Sequence, residues 1–153
     1  MMTHYSSDTM INTFNGPYRW LSNFFPCSTL PPTLEHHYQA AKTDVPHWHY
    51  KIMMADTPQL AKRYGGLCPK MVNWDIVKDI IMLNLLRKKF EHVPLTQLLI
   101  STRDKMLVEG NHWHDNYWGV CYCGKCPPGK NKLGNLLMQV RGELGQRHLT
   151  LKK

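Results

Sequence analysis

The sequence predicts an α+β fold, predominantly helical with a small β-sheet, in a single domain over residues 1–153. Three observations carry this prediction. From Glu35 onward, helix-forming stretches follow one another without the regular strand–helix alternation of a parallel α/β sheet. The first thirty or so residues instead mix β-branched and aromatic residues with Gly, Pro and Asn. Finally, 153 residues, 42% of them hydrophobic, suffice to bury one core without disulfide staples.

In chain order, "INTFNGPYRWLSNFFPCSTLPP" predicts short strands with turns at Asn15-Gly16-Pro17 and Pro31-Pro32, where chain breakers cluster. "LEHHYQAAK" carries helix formers from Glu35 to Lys42. "DTPQLAKRYGG" predicts a short helix with Thr57 as N-cap, Pro58 in the first turn and glycine at the end. Asn73 is placed to cap the longest helix, Trp74 to about Phe90, on which Val77, Ile80, Ile81, Leu85 and Phe90 form an apolar stripe. "PLTQLLIS" predicts a further helix, "KMLVE" a short strand, residues 109–126 a polar loop, and Leu133 to about Leu144 the last helix. There is no internal repeat.

The formal net charge of +8 favours anionic partners: nucleic acid, nucleotides or phosphorylated metabolites. The longest basic run, Arg87-Lys88-Lys89, falls in a helical pattern and reads as a solvated face. No apolar run approaches the roughly 18 to 20 residues of a membrane span, and "MMTHYSSDTM" lacks a leader's charged-then-apolar pattern, so a cytoplasmic protein is expected, with no membrane partner.

Two stretches can carry chemistry. In "EHHYQAAK" a continuous helix returns Glu35 and Lys42 to nearly one face, about 10 Å apart along the axis, with Gln39 between them. An acid and an amine so placed either flank a bound substrate or form an ordinary solvated face oriented as the helix dipole prefers. The second stretch is "EGNHWHDNYWGVCYCGKC". Cys121, Cys123 and Cys126 form C-x-C-x2-C, with a fourth metal ligand available from His112, His114 or Asp115. The spacing is tighter than a usual knuckle and no distant C-x2-C pair exists, so the expectation is free thiols in a Gly- and Pro-rich loop, with no metal assigned. His36, His37, His47 and His49 are expected to be satisfied or exposed histidines. Asp115 beside Trp118 either makes turn hydrogen bonds or stabilises a sugar cation while the indole stacks on a base.

The ordered set "NGPYRWLSNFFP", "EHHYQAAK", "NWDIVKDIIMLNLLRKKF", "LVEGNHWHDNYWG" and "GKNKLGNLLMQVRGEL" resembles the YbiA-like or NADAR family over residues 12–145. The resemblance implies an N-glycosidase that needs no cofactor. Its substrate would be a phosphorylated ribosylamine of riboflavin synthesis or ADP-ribosylated guanine, with nucleic acid as a possible carrier. It implies catalytic roles for Glu35, Lys42 and Asp115, with Lys42 as an imine-forming lysine. Asn23, Phe24, Tyr38, Trp74, Trp118 and Asn131 fall on the substrate-binding motifs. The cysteine cluster departs from the family pattern, in which that segment is often glycine-rich. The competing reading is a zinc-containing nucleic-acid or ADP-ribose binding module without turnover.

Overall fold

A computed structural model describes residues 8–153; residues 1–7, part of the stretch searched for a leader, lie outside the described residues. The architecture is helix-dominated α+β with two-stranded β-pairings, as predicted. No helix among the described residues is long and apolar enough to cross a membrane. The chain forms two compact units, one of Asn23–His92, the other of the described residues up to Ser22 with Val93–Lys153.

The unit Asn23–His92 is built from α1 (Leu34–Ala40), α2 (Pro46–Met53), α3 (Pro58–Leu67) and α4 (Trp74–Lys89). Helix α1 starts where Thr33 caps it: the Thr33 hydroxyl accepts the His36 N–H at 3.3 Å and pairs with His36 Nδ1 at 2.8 Å. His36 Nε2 meets the Ala55 carbonyl at 2.9 Å and His37 Nε2 that of Pro31 at 2.9 Å, so these histidines are satisfied structurally, while His47 and His49 are exposed. Six of the seven α1 residues are buried, and α2, α3 and α4 all pack against the helix.

The predicted helix to Lys42 stops earlier. Helix α1 ends at Ala40, and Lys42 lies in a turn whose N–H donates to the Gln39 carbonyl at 3.2 Å. The following Thr43-Asp44-Val45-Pro46 stretch of poor helix formers and a proline gives the reason. Lys42 therefore does not share a helix face with Glu35.

Helix α2 was not predicted. Its one clear signal is Pro46 at the first helical position, and the middling propensities of His47, Trp48, His49 and Tyr50 mask the rest. In α3 the Thr57 cap is present, accepting the Leu60 N–H at 3.1 Å, but the helix runs through both glycines to Leu67. Gly65 does not end the helix. It lets α3 approach α1, because a Cβ there would overlap the Gln39 side chain. Between α1, α2 and α3, Ala40, Ile52, Ala55, Ala61 and Cys68 form a small core under Trp48, Met53, Leu60 and Tyr64.

Helix α4 buries Trp74, Met82, Leu83, Leu86 and Lys89; of the predicted stripe Phe90, at the C-cap, is fully buried, Val77, Ile81 and Leu85 are half-buried, and Ile80 is 50% exposed. Apolar residues occur all round this helix, with Ile76 also exposed, so periodicity alone selects no face. The basic run is likewise split: Arg87 and Lys88 are exposed, but Lys89 is fully buried, its amine 5.4 Å from the Phe90 ring centroid.

In the other unit, β1 (Met10–Ile11) pairs in parallel with β2 (Met106–Leu107), Met10 opposite Met106 and Ile11 opposite Leu107. The turn predicted at Asn15-Gly16-Pro17 opens a 3-10 helix, Gly16–Leu21, with Gly16 at φ 54. Helix α5 (Val93–Ser101) and β2 match the expected helix and strand. The predicted loop contains a second parallel pair, β3 (Gly110–Asn111) with β4 (Val120–Cys121). Helix α6 spans Lys132–Leu151, beyond the predicted Leu144, because the apolar stripe fades there without a breaker strong enough to stop the helix. Arg141 on α6 donates to Thr102 Oγ1 at 2.9 Å and the Lys105 carbonyl at 2.8 Å, holding α6 against the α5–β2 connection.

Two glycines of α6 should respond oppositely to substitution. A Cβ at Gly134 meets the backbone carbonyl of Leu107, which cannot swing aside, whereas nothing lies near one at Gly142. We expect Gly142→Ala to stabilise the protein by about 0.5–1 kcal/mol. Gly134→Ala should lower stability despite the same gain in helix propensity. Urea unfolding of the two variants measures this, and shifts of the same sign would contradict the close approach.

Candidate active site

Glu35 is the second residue of α1 and is only 6% exposed. Its backbone N–H donates to the Asn23 carbonyl at 3.0 Å, and its Oε1 accepts Gln39 Nε2 at 2.7 Å, a one-turn pair within α1. Burial pushes the carboxyl above the ordinary range; the Gln39 hydrogen bond and the charges of Lys62 and Lys42 pull it partly back. The acid is thus biased toward its protonated form. Asn23 is itself buried, with Nδ2 on the Met82 sulfur at 3.6 Å and Oδ1 without a hydrogen-bond partner. A buried acceptor of this kind is suited to a hydroxyl or amino donor from a ligand.

Lys42 follows α1 directly. Burial pushes its amine below the ordinary lysine range; Glu35 pulls it back up and Lys70 presses it further down. The amine lies 5.4 Å from the Tyr38 ring centroid, and Tyr38 packs on Trp74 with centroids 5.3 Å apart at 54°. Lys62, whose charge is felt by both Glu35 and Lys42, sits 5.9 Å from the Phe24 ring centroid. This unit therefore gathers Asn23, Glu35, Tyr38, Lys42 and Trp74, with Phe24 joined through Lys62. Glu35 and Lys42 are within electrostatic reach of each other, and burial shifts each toward its neutral form.

The remaining motif residues belong to the other unit. Asp115 Oδ1 accepts the N–H groups of Tyr117 at 3.1 Å and Trp118 at 2.9 Å. Asn111 clamps the same turn, accepting the Asp115 N–H at 3.1 Å and donating to the Asp115 carbonyl at 2.8 Å. Asp115 thus makes the turn hydrogen bonds considered from the sequence, and they set the backbone that presents Trp118. Trp118 meets Tyr117 edge-on at 5.0 Å. Lys130 and Lys132 lie 5.3 and 5.9 Å from the Tyr117 ring centroid. Asn131, left-handed at φ 50, accepts the Glu109 N–H at 3.0 Å and donates to the Leu107 carbonyl at 2.9 Å, so its amide joins β2 and β3 to the start of α6.

Sequence reasoning gave no role to Gln39, Lys62 or Lys70. Gln39 lay visibly between the proposed acid and amine. The two lysines carried no signal beyond net charge, since α3 and the turn after it bring them near Glu35 and Lys42 only through folding.

A small helix-dominated α+β fold that holds a buried carboxyl and a partly buried amine in one unit defines the class of protein. The chain belongs to the NADAR domain family, whose model matches residues 11–145. It is 38% identical over 151 residues to "N-glycosidase YbiA" of Escherichia coli, covering 92% of each chain. It is also 35% identical over 133 residues to "Riboflavin biosynthesis protein VVA0006" of Vibrio vulnificus, covering 82% of this chain and 35% of that longer one. The NMR structure of Escherichia coli YbiA superposes with a TM-score of 0.80 at 36% identity, covering 97% of this chain and 92% of that one.

The raised Glu35 carboxyl predicts a stability cost with a definite sign. The folded chain holds this proton more tightly than the unfolded chain does, so stability falls as pH rises from the ordinary value of 4.5 through the raised value. Glu35→Gln keeps an acceptor for Gln39 but removes the buried charge. The variant should melt at a higher temperature than the parent near neutral pH, with the gap closing in acid. Circular dichroism melts across pH measure it; a variant less stable than the parent at neutral pH would contradict the burial of an ionisable group.

Proposed function

We propose that this chain hydrolyses the bond between ribose C1 and an exocyclic base nitrogen, using Glu35 for proton transfer and Lys42 as an amine nucleophile. The enzyme class, hydrolysis of N-glycosyl bonds, follows from family membership and the relatives named as N-glycosidases. The single observation that supports the finer mechanism is the pairing of a buried carboxyl with a partly buried lysine, each shifted toward its neutral form by burial.

An exocyclic ribosylamine opens its ring to an imine at C1, with the ring oxygen taking a proton. Protonated Glu35 supplies that proton. Neutral Lys42 adds to C1, the base amine leaves with a proton returned through Glu35, and a lysine imine to the sugar remains. Water hydrolyses this imine, freeing the sugar and restoring the amine. Tyr38 and Trp74 form an aromatic wall beside Lys42, and the Oδ1 of Asn23 takes a donor from the substrate. Exposed Lys62 and Lys70 suit a phosphate on the sugar. For Asp115 we propose a role of its own in the reaction, tested by its own substitution.

A phosphoribosylamino intermediate of riboflavin synthesis is the favoured substrate, supported by the relatives named as riboflavin biosynthesis proteins. ADP-ribosylated guanine, free or in nucleic acid, presents the same bond and suits the net charge of +8. A cytoplasmic location is proposed from the five free cysteines, which suit a reducing compartment.

Incubation with each substrate, followed by resolution of the released bases, tests the assignment. Glu35→Gln and Asp115→Asn should each slow turnover on the order of a hundredfold. Borohydride added during turnover should leave the sugar attached to the peptide containing Lys42, and Lys42→Ala should abolish both label and turnover. A label on another lysine, or a fully active Lys42→Ala, would move the account to a direct oxocarbenium route with no lysine imine.

A further inference from the structure

The three clustered cysteines, expected as loop thiols, converge with a histidine. His114 Nδ1 lies 3.1 Å from Cys126 Sγ, 3.6 Å from Cys123 Sγ and 3.8 Å from Cys121 Sγ, while Cys123 Sγ and Cys126 Sγ are 3.3 Å apart. All four ligand atoms lie within 4.8 Å of one another. Zn–S bonds of about 2.3 Å and Zn–N bonds of about 2.0–2.1 Å at tetrahedral angles give edges of roughly 3.8 Å between sulfurs and 3.5 Å between nitrogen and sulfur. The four named separations match those edges within about half an ångström. Of the three fourth ligands open in the sequence, folding selects His114.

The backbone explains the convergence. Strands β3 and β4 pair Asn111 with Cys121, which brings the segment after β3, His112-Trp113-His114, beside the cysteines that follow β4. His114 adopts φ 69, a costly left-handed conformation for a residue with a β-carbon. Gly124 at φ 79 folds Cys123-Gly124-Lys125-Cys126 into a tight turn, and the Lys125 N–H points at Cys123 Sγ at 3.4 Å, the kind of bond that supports a thiolate. A Cys123–Cys126 disulfide would use two of these groups and leave the positions of Cys121 and His114 unexplained.

The geometry points to a structural Zn²⁺ site made by His114 Nδ1 and the thiolates of Cys121, Cys123 and Cys126. Four protein ligands close the coordination sphere, so the ion is a staple and not a Lewis acid for the reaction. It ties the ends of the segment 114–126, which carries Asp115 and Trp118, and its binding energy adds to folding. Binding displaces the thiol protons, so acid releases the metal.

Metal analysis tests the site directly on full-length protein expressed with zinc and purified under a phosphine reductant without chelator. We expect about one zinc per chain, lost by about tenfold or more in Cys123→Ser, Cys126→Ser and His114→Ala. His112→Ala and Cys68→Ser, outside the ligand set, should retain it. Titration of the metal-free parent with Co²⁺ should give the intense visible absorption of a tetrahedral ion with a thiolate charge-transfer band, and a chelator should lower the melting temperature. Far-UV circular dichroism separates loss of metal from loss of fold in the variants; the cobalt spectrum of the parent decides the case if they unfold. Substoichiometric zinc with no thiolate–cobalt band would overturn the site, as would metal that persists without Cys123 and Cys126.

Discussion

The packing that covers α1, and buries Glu35 with it, is the constraint on which the unit Asn23–His92 depends. A seven-residue helix is too short to persist alone, so α1 exists because α2, α3 and α4 cover it and because Thr33 caps it. The same packing removes water from the carboxyl. Gly65 on α3 is shaped to this end, since its missing side chain leaves room for Gln39, whose amide then bonds Glu35. The acid's protonation bias is thus a property of four packed helices rather than of one residue.

Function and stability pull against each other here. A carboxyl held in a dry helix contact weakens the fold whenever it ionises, yet that environment favours the protonated state that the proposed proton transfer uses. The adjacent lysine shows the complementary bias: burial disfavours its cation, Lys70 adds repulsion, and Glu35 opposes both. Tyr38 and Trp74 supply the apolar surface that makes this desolvation possible. Lys62 and Lys70, whose charges act on this pair, are themselves exposed.

Much of this was legible in the sequence, for reasons tied to residue type. Thr57 before Pro58 named the start of α3, and "EHHYQAAK" named the acid and the amine. His36 and His37, expected to be satisfied or exposed, each meet a backbone carbonyl. What escaped depended on tertiary context. Lys42 leaves the helix because the residues after it cannot continue one, and α4 turns Met82 and Leu86 inward because its apolar residues offer no unique face. Lys89 is buried despite its charge, and α2 hid behind histidines and aromatics. The cysteine spacing looked too tight for a metal knuckle because the fourth group is brought in by a strand pair, a contact that linear spacing does not encode.

The most direct test of the central claim is a side-chain carboxyl NMR titration, with the Glu35 resonance assigned by its loss in Glu35→Gln. The account predicts that Glu35 titrates above the ordinary value of 4.5, and that Lys42→Ala moves it higher still, because the lysine's charge now holds it down. A Glu35 carboxyl that titrates at or below 4.5, or that ignores the loss of Lys42, would contradict the buried acid–amine pair on which the proposed chemistry rests.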